Sequence, residues 1–195
     1  MRQAEVVRKT VETNIKVNVD LDGDGSSTIA TGVGFFDHML ILLSKHGLFD
    51  MTVNCEGDLH IDGHHTVEDI GISFGQAFMK ALGDKQGIKR YGTSFVPMDE
   101  ALAMVSLDIS GRAYLVYDVV QPLTPMIGDY DSELTEEFLR AFANNAGITL
   151  HVKMLYGKNS HHIVEAIFKA LGRALGEACS KDSRIKGVMS TKGTL

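Results

Sequence analysis

Apolar and polar positions alternate through Asn14-Ile15-Lys16-Val17-Asn18-Val19-Asp20, a period of two that predicts a strand with one covered face. Asp22-Gly23-Asp24-Gly25 supplies a turn, after which Ser26 to Ala30 is expected to return as a partner strand. The period then lengthens. Asp37 is a plausible N-cap for a helix carrying Met39, Leu40 and Leu43 and ending near Gly47. Met51, Val53 and Cys55 alternate again as a strand. A loop through Asp62-Gly63 leads into a helix from about His64 to Leu82, with Val67, Ile70, Phe74, Phe78 and Ala81 on one stripe.

The second half repeats this order. Leu102 to Ile109 and Tyr114 to Val120 read as a hairpin around Ser110-Gly111. Leu134 to Asn144 reads as a helix ending before Gly147. Ile148, Leu150, Val152 and Met154 alternate as a strand, and a helix follows from about His161 to Ala178. The two last helices open with HHTVE and HHIVE, offset by 161 − 64 = 97 residues in a chain of 195. A shared opening, preceded each time by a similar strand and helix, points to duplication. The expected architecture is α+β. Residues 1–92 and 93–195 form two half-domains of one compact unit, each a small antiparallel sheet with two helices on one face, helices to the inside.

Composition narrows the partners. A net charge of −6 argues against nucleic acid, which needs a basic face, yet leaves room for a phosphorylated small molecule held by a few local cations. No apolar run approaches the ~20 residues needed to span a bilayer. The opening MRQAEVVRKTVE lacks the apolar stretch of a secretory signal. Two cysteines, Cys55 and Cys179, make no disulfide framework and fit a reducing cytoplasm, where both are read as small buried hydrophobes.

The histidines carry the chemistry. In HHxxE the first His and the Glu are four apart and the second His and the Glu three apart, so either pair shares one helical face within reach of one ion. Neighbouring helical residues diverge by roughly 100°, so the two histidines of a pair are expected to bridge two metals or two chains. Two motifs supply six ligands, which points to two ions. His151, on the polar face of its strand, and His38, at a helix start, could complete the set. Imidazole with carboxylate suits Mn, Fe, Zn, Co or Ni.

Taken in order, RKTVET (Arg8 to Thr13), GVGFFDHML (Gly32 to Leu40), DGHHTVEDIGI (Asp62 to Ile72), RYG (Arg90 to Gly92), PMDEAL (Pro97 to Leu102), DISGR (Asp108 to Arg112), HHIVEAIFKALGRAL (His161 to Leu175) and STKG (Ser190 to Gly193) resemble the signatures of the imidazoleglycerol-phosphate dehydratase family. Gly63, where Asp or His is more usual, and Val188-Met189, where Pro is expected, depart from the pattern. The resemblance implies a duplicated fold similar to the second domain of ribosomal protein S5 and two Mn2+ ions per active site. It implies self-association to trimers and a 24-subunit shell, with sites at subunit contacts. The implied metal ligands are His38, His64, His65, Glu68, His151, His161, His162 and Glu165. The implied substrate residues are Glu12, His38, His46, His64, Arg90, Arg112, His161, Lys169, Ser190 and Lys192. Glu12 is the candidate acid/base, and Glu68 and Glu165 join it as catalytic carboxylates. The implied reaction is dehydration of an imidazole carrying glycerol phosphate, a lyase step of histidine biosynthesis. The competing readings are a two-metal phosphate-ester hydrolase, which releases phosphate, and a metal-storage protein, which leaves Arg90, Arg112 and the STKG tail without a role.

Overall fold

The computed structural model describes residues 2–120 and 123–195. The first half runs β1 (Gln3–Lys9), β2 (Thr13–Asp20), β3 (Ser27–Ala30), α1 (Gly34–Gly47), β4 (Asp50–Gly57) and α2 (His64–Leu82). The second runs β5 (Tyr91–Met98), β6 (Ala101–Asp108), β7 (Tyr114–Asp118), the short ribbon β8 (Met126–Ile127) and β9 (Tyr130–Asp131), α3 (Leu134–Ala146), β10 (Thr149–Tyr156) and α4 (Ser160–Cys179). The sheets have matching orders, β1-β2-β4-β3 and β5-β6-β10-β7. The chain is thus a duplicated α+β fold.

The strand pairings differ from the expected hairpins. β3 does not return against β2; it lies parallel to β4, with Ser27 opposite Met51 and Ala30 opposite Asn54. Both edges of β2 are already occupied, by β1 and β4. Asp50 directs the turn: its Oδ1 accepts from the N–H groups of Asp24, Gly25 and Ser26 at 2.9, 3.1 and 2.9 Å, drawing the loop to the β4 edge. β7 likewise pairs parallel with β10 rather than antiparallel with β6. Each parallel pair is joined through a helix, α1 or α3, as a crossover requires. The sheets are therefore mixed rather than antiparallel.

The true hairpins, β1–β2 and β5–β6, use strands whose inward side is weakly apolar. Val6 is the only fully buried residue of β1, and β5 turns Gly92, Ser94 and Val96 inward. Gly92 is required there, because a Cβ would lie 1.9 Å from the Ala174 carbonyl oxygen of α4.

Helix α1 starts at Gly34, so Asp37 sits in its first turn and does not cap it. Asp37 Oδ1 instead accepts from the N–H and hydroxyl of Thr31, at 2.9 and 2.5 Å. The free N–H groups of Gly34 and Phe35 are met by the Asp129 carboxylate of the other half, at 2.9 and 3.4 Å. Asn159 caps α4, accepting from the N–H groups of His161 and His162.

The helices form a layer between the sheets, with α2 against α3 and α1 against α4. Phe36, Phe74, Phe78, Phe138, Phe142 and Phe168 are fully buried between the halves, Phe74 stacking on Phe142 at 4.7 Å. Cys179 is buried and Cys55 half-buried; both are free thiols, and burial pushes them up to about 12 and about 11. Among the described residues no helix is long and apolar enough to cross a membrane.

Glycines set the helix spacing. A Cβ at Gly172 of α4 would lie 2.5 Å from the Leu43 carbonyl oxygen of α1, and one at Gly75 of α2 would lie 2.8 Å from the Phe142 carbonyl oxygen of α3. These positions are again 172 − 75 = 97 residues apart. Backbone cannot yield as a side-chain tip can, so Gly172→Ala is expected to lower stability by ~1–3 kcal/mol. By calorimetry at fixed protein and metal concentration, each ~1 kcal/mol appears as a fall of roughly 2–4 °C in Tm. An unchanged midpoint rejects the close-approach argument.

Candidate metal centre and anion cavity

The N-terminal turn of α4 places His161 and Glu165 one turn apart, and the α1–α4 crossing brings His38 to them. His161 Nε2 lies 3.1 Å and His38 Nε2 3.5 Å from Glu165 Oε2. The three ligand atoms fall within 4.8 Å of one another, and among the described residues this is the one such group of three. Glu165 is buried, and its other oxygen accepts from Lys169 Nζ at 2.5 Å. Burial alone would raise the Glu165 carboxyl. Lys169 outweighs it, helped by His38 and His161, and the group lies below the usual carboxylate range. An ionised oxygen facing two imidazoles, with Lys169 on the far side, is a donor set that fits a divalent transition ion.

The second histidines diverge from the first, with ring centroids 6.1 Å apart in each HH pair. His65 Nδ1 lies 2.9 Å from Asp58 Oδ2, and its Nε2 is 3.7 Å from Glu12 Oε1. His162 Nδ1 lies 2.7 Å from Glu100 Oε2, and its Nε2 is 3.8 Å from Asp99 Oδ2. The hydrogen bond to Asp58 holds His65 above the usual imidazole range, and the one to Glu100 does the same for His162. Glu100 is pulled down to about 2 by His162 and by the N–H groups of Asn159 and Lys158.

The first motif does not assemble as the second does. His64 lines a cavity of about 610 Å3 with Asp62, Asp129 and Glu137, and half-buried Glu68 joins no group of ligands among the described residues. The partner helix differs too: α3 contains no histidine to play the part of His38. His151 projects from the outer face of β10, while Leu150 and Val152 point into the core, so the sheet stands between His151 and Glu165.

Four expected substrate residues do meet. Arg90, Arg112, Ser190 and Lys192 line a cavity of about 280 Å3. Arg90, held at φ 74°, forks onto Asp108 through Nε and Nη2 at 2.6 and 2.9 Å, and its Nη1 donates to the Met189 carbonyl at 2.7 Å. That hydrogen bond to Asp108 raises the Arg90 pKa. Arg112 is exposed, its Nη2 lying 3.8 Å from Asp108. Convergent cations beside a hydroxyl suit an oxyanion such as phosphate. Lys169 stands apart from this cavity, on Glu165. His46 lines a third cavity, of about 570 Å3, with Arg2, Arg173 and Glu177, and burial followed by the charges of Lys169 and Arg173 pushes it below the usual range.

Asp58 and Glu100 escape the sequence reading. Glu100 lies within the PMDEAL segment, directly before β6, as Glu12 lies directly before β2. The repeat therefore contains a signal for Glu100. Nothing in the spacing marks Asp58.

Comparison with known proteins points to one family. The model of the family described as imidazoleglycerol-phosphate dehydratase matches residues 31–175. A protein of that name from Clostridium botulinum (strain Hall) is 64% identical over 192 residues, covering 98% of this chain and 97% of the relative. Another from Acetivibrio thermocellus is 63% identical over 194 residues, covering 100% and 99%. The crystal structure of imidazoleglycerol-phosphate dehydratase from Staphylococcus aureus is similar with a TM-score of 0.83 at 41% identity, covering 92% of this chain and 99% of that one.

Proposed function

This chain belongs to the imidazoleglycerol-phosphate dehydratase family, and on that premise we propose that it dehydrates D-erythro-imidazole-glycerol phosphate to imidazole-acetol phosphate. The proposed reaction is a lyase step of histidine biosynthesis in the cytoplasm, using two Mn2+ ions per active site. The observation that carries this reading is the convergence of His38, His161 and Glu165 at the α1–α4 crossing.

The proposed ligands are His38, His64, His65, Glu68, His151, His161, His162 and Glu165. When bound, the ions supply positive charge that lowers the proton affinity of a coordinated group. The chain's own residues do the rest. Lys169 keeps Glu165 ionised. Arg90, Arg112, Ser190 and Lys192 hold the substrate phosphate. His46 is assigned to the substrate with them. Glu12, exposed beside His65, moves the proton from a carbon that no neighbouring carbonyl acidifies.

A complete site needs more than one copy of the chain. The Arg90 N–H donates to the Ala178 carbonyl, 178 − 165 = 13 residues along α4 from Glu165. At ~1.5 Å per residue that separates the anion cavity from the metal group by roughly 20 Å, beyond the reach of one imidazole-glycerol phosphate. His151 faces outward, and α3 offers the first motif no histidine. Exposed Tyr91, Phe95 and Leu155 on the same outer face offer apolar surface for a neighbouring copy. The trimers and 24-subunit shell that the family resemblance implies would supply such neighbouring copies. Residues 1–92 and 93–195 act in it as half-domains of one unit.

Protein stripped of metal is expected to make no ketone and to recover on reloading with about two Mn2+ per chain. Phosphate release instead of ketone favours a hydrolase, and metal uptake with neither product favours storage. Glu12→Gln is expected to lower turnover by about 100-fold or more while metal content stays at the wild-type level; unchanged turnover removes Glu12 from the mechanism. Arg112→Ala deletes charged hydrogen bonds worth ~1.5–3 kcal/mol, so steady-state kinetics should show KM raised by roughly 10- to 100-fold. An unaltered KM rejects its role at the phosphate.

A further inference from the structure

We propose that Asp58 and Glu100 are positioning residues that hold His65 and His162 in one tautomer, each ring presenting its Nε2 lone pair to a metal ion. The proposal rests on the metal assignment of these histidines made above. An ionised carboxylate can only accept, so a ring nitrogen bonded to it must carry the proton. The nitrogens facing Asp58 and Glu100 are the Nδ1 atoms, at 2.9 and 2.7 Å. A neutral imidazole has one N–H, so Nε2 is left bare in both rings. Carboxylates that orient metal-bound histidines this way act through the ring without touching the ion.

The Glu100 carboxylate and the Asp58 backbone are themselves anchored. Glu100 Oε1 accepts from the N–H groups of Lys158 and Asn159, at 3.1 and 2.7 Å, and Asn159 caps the helix that carries His162. Glu100 thus joins the β5–β6 turn to the start of α4. Asp99, at φ 46°, takes the left-handed backbone in that turn. The Asp58 N–H donates to the Glu12 carbonyl at 3.1 Å, and its carboxylate is largely buried. Asp58 Oδ1 has no hydrogen-bond partner among the described residues. Burying it unpaired is unfavourable, and the contact with His65 is the interaction that accounts for the carboxylate's placement.

The arrangement is duplicated in effect but not in sequence. In the first half the orienting carboxylate follows β4; in the second it precedes β6. Two unrelated positions reach the same ring atom of equivalent histidines, which a structural accident of the repeat would not produce.

The test compares Mn2+ titrations, followed by electron paramagnetic resonance of the free ion, for the full-length wild type, Asp58→Asn, Glu100→Gln and the surface control Glu5→Gln. Gln at 100 keeps a carbonyl oxygen for the two backbone N–H groups but offers an amide to Nδ1. Each site variant is expected to weaken one of the two Mn2+ ions by about 10- to 100-fold, with the metal-free Tm near that of the wild type and Glu5→Gln unchanged. Wild-type affinity for both ions in Asp58→Asn and Glu100→Gln overturns the proposal. So does a loss of affinity accompanied by a comparable fall in metal-free Tm, which marks a structural role. Nitrogen-15 spectra of the metal-free protein separate this proposal from the metal assignment. Nδ1–H rings at His65 and His162, with the His162 proton moving to Nε2 in Glu100→Gln, support it; Nε2–H rings in the wild type overturn it. A wild type that binds no Mn2+ instead refutes the metal assignment itself.

Discussion

The approach of α1 to α4 is the contact on which the grouping of His38, His161 and Glu165 depends. Gly172 and Gly176 place α4 backbone against Leu43 and Gly47, each with room for no Cβ at 2.5 Å from the facing carbonyl oxygen. Only at that separation does His38, on one helix, reach a carboxylate carried by the other. The same crossing lies beside the aromatic seam of Phe36, Phe138 and Phe168, so the core that joins the two halves also sets the ligand distances. Packing and side-chain placement are coupled there by geometry: a helix displaced by one methyl group moves His38 relative to Glu165.

Duplication supplied two copies of one motif, and their neighbours made them unequal. Glu165 has Lys169 one turn later and His38 across the crossing; Glu68 has Ile72 one turn later and a partner helix without histidine. The second copy is therefore drawn together within one chain, whereas the first presents His64 toward an acidic cavity and His65 toward Asp58. A buried carboxylate needs a compensating cation, and Lys169 provides it while leaving Glu165 Oε2 to the histidines.

Charge is arranged along α4. Its capped N-terminal turn carries the imidazoles, and its C-terminal end lies beside Arg90, directly before β5. Asp108 forks onto Arg90 and stands close to Arg112, which keeps two like charges near each other over a small cavity. The assembly proposed above would let cations at one end and candidate ligands at the other serve one substrate where copies of the chain meet.

Much of this was legible in the residues. The period-two runs at Ile15–Val19 and Leu150–Met154, the helical stripes and the 97-residue offset of the HHxxE motifs all follow from local periodicity, which burial on one face imposes directly. Candidate ligands and cations were equally visible as residue types, since chemistry resides in residue type. Strand partners were not, because pairing depends on which edges remain free and on side chains far along the chain, as Asp50 shows in drawing β3 to β4. Strand β5 was hidden because its inward positions are Gly92 and Ser94, small for the sake of α4. Tertiary structure also decided which of the expected ligands converge, and it brought Asp58 and Glu100 to the rings. Those contacts are set by backbone placement over long sequence separations, which no local pattern encodes.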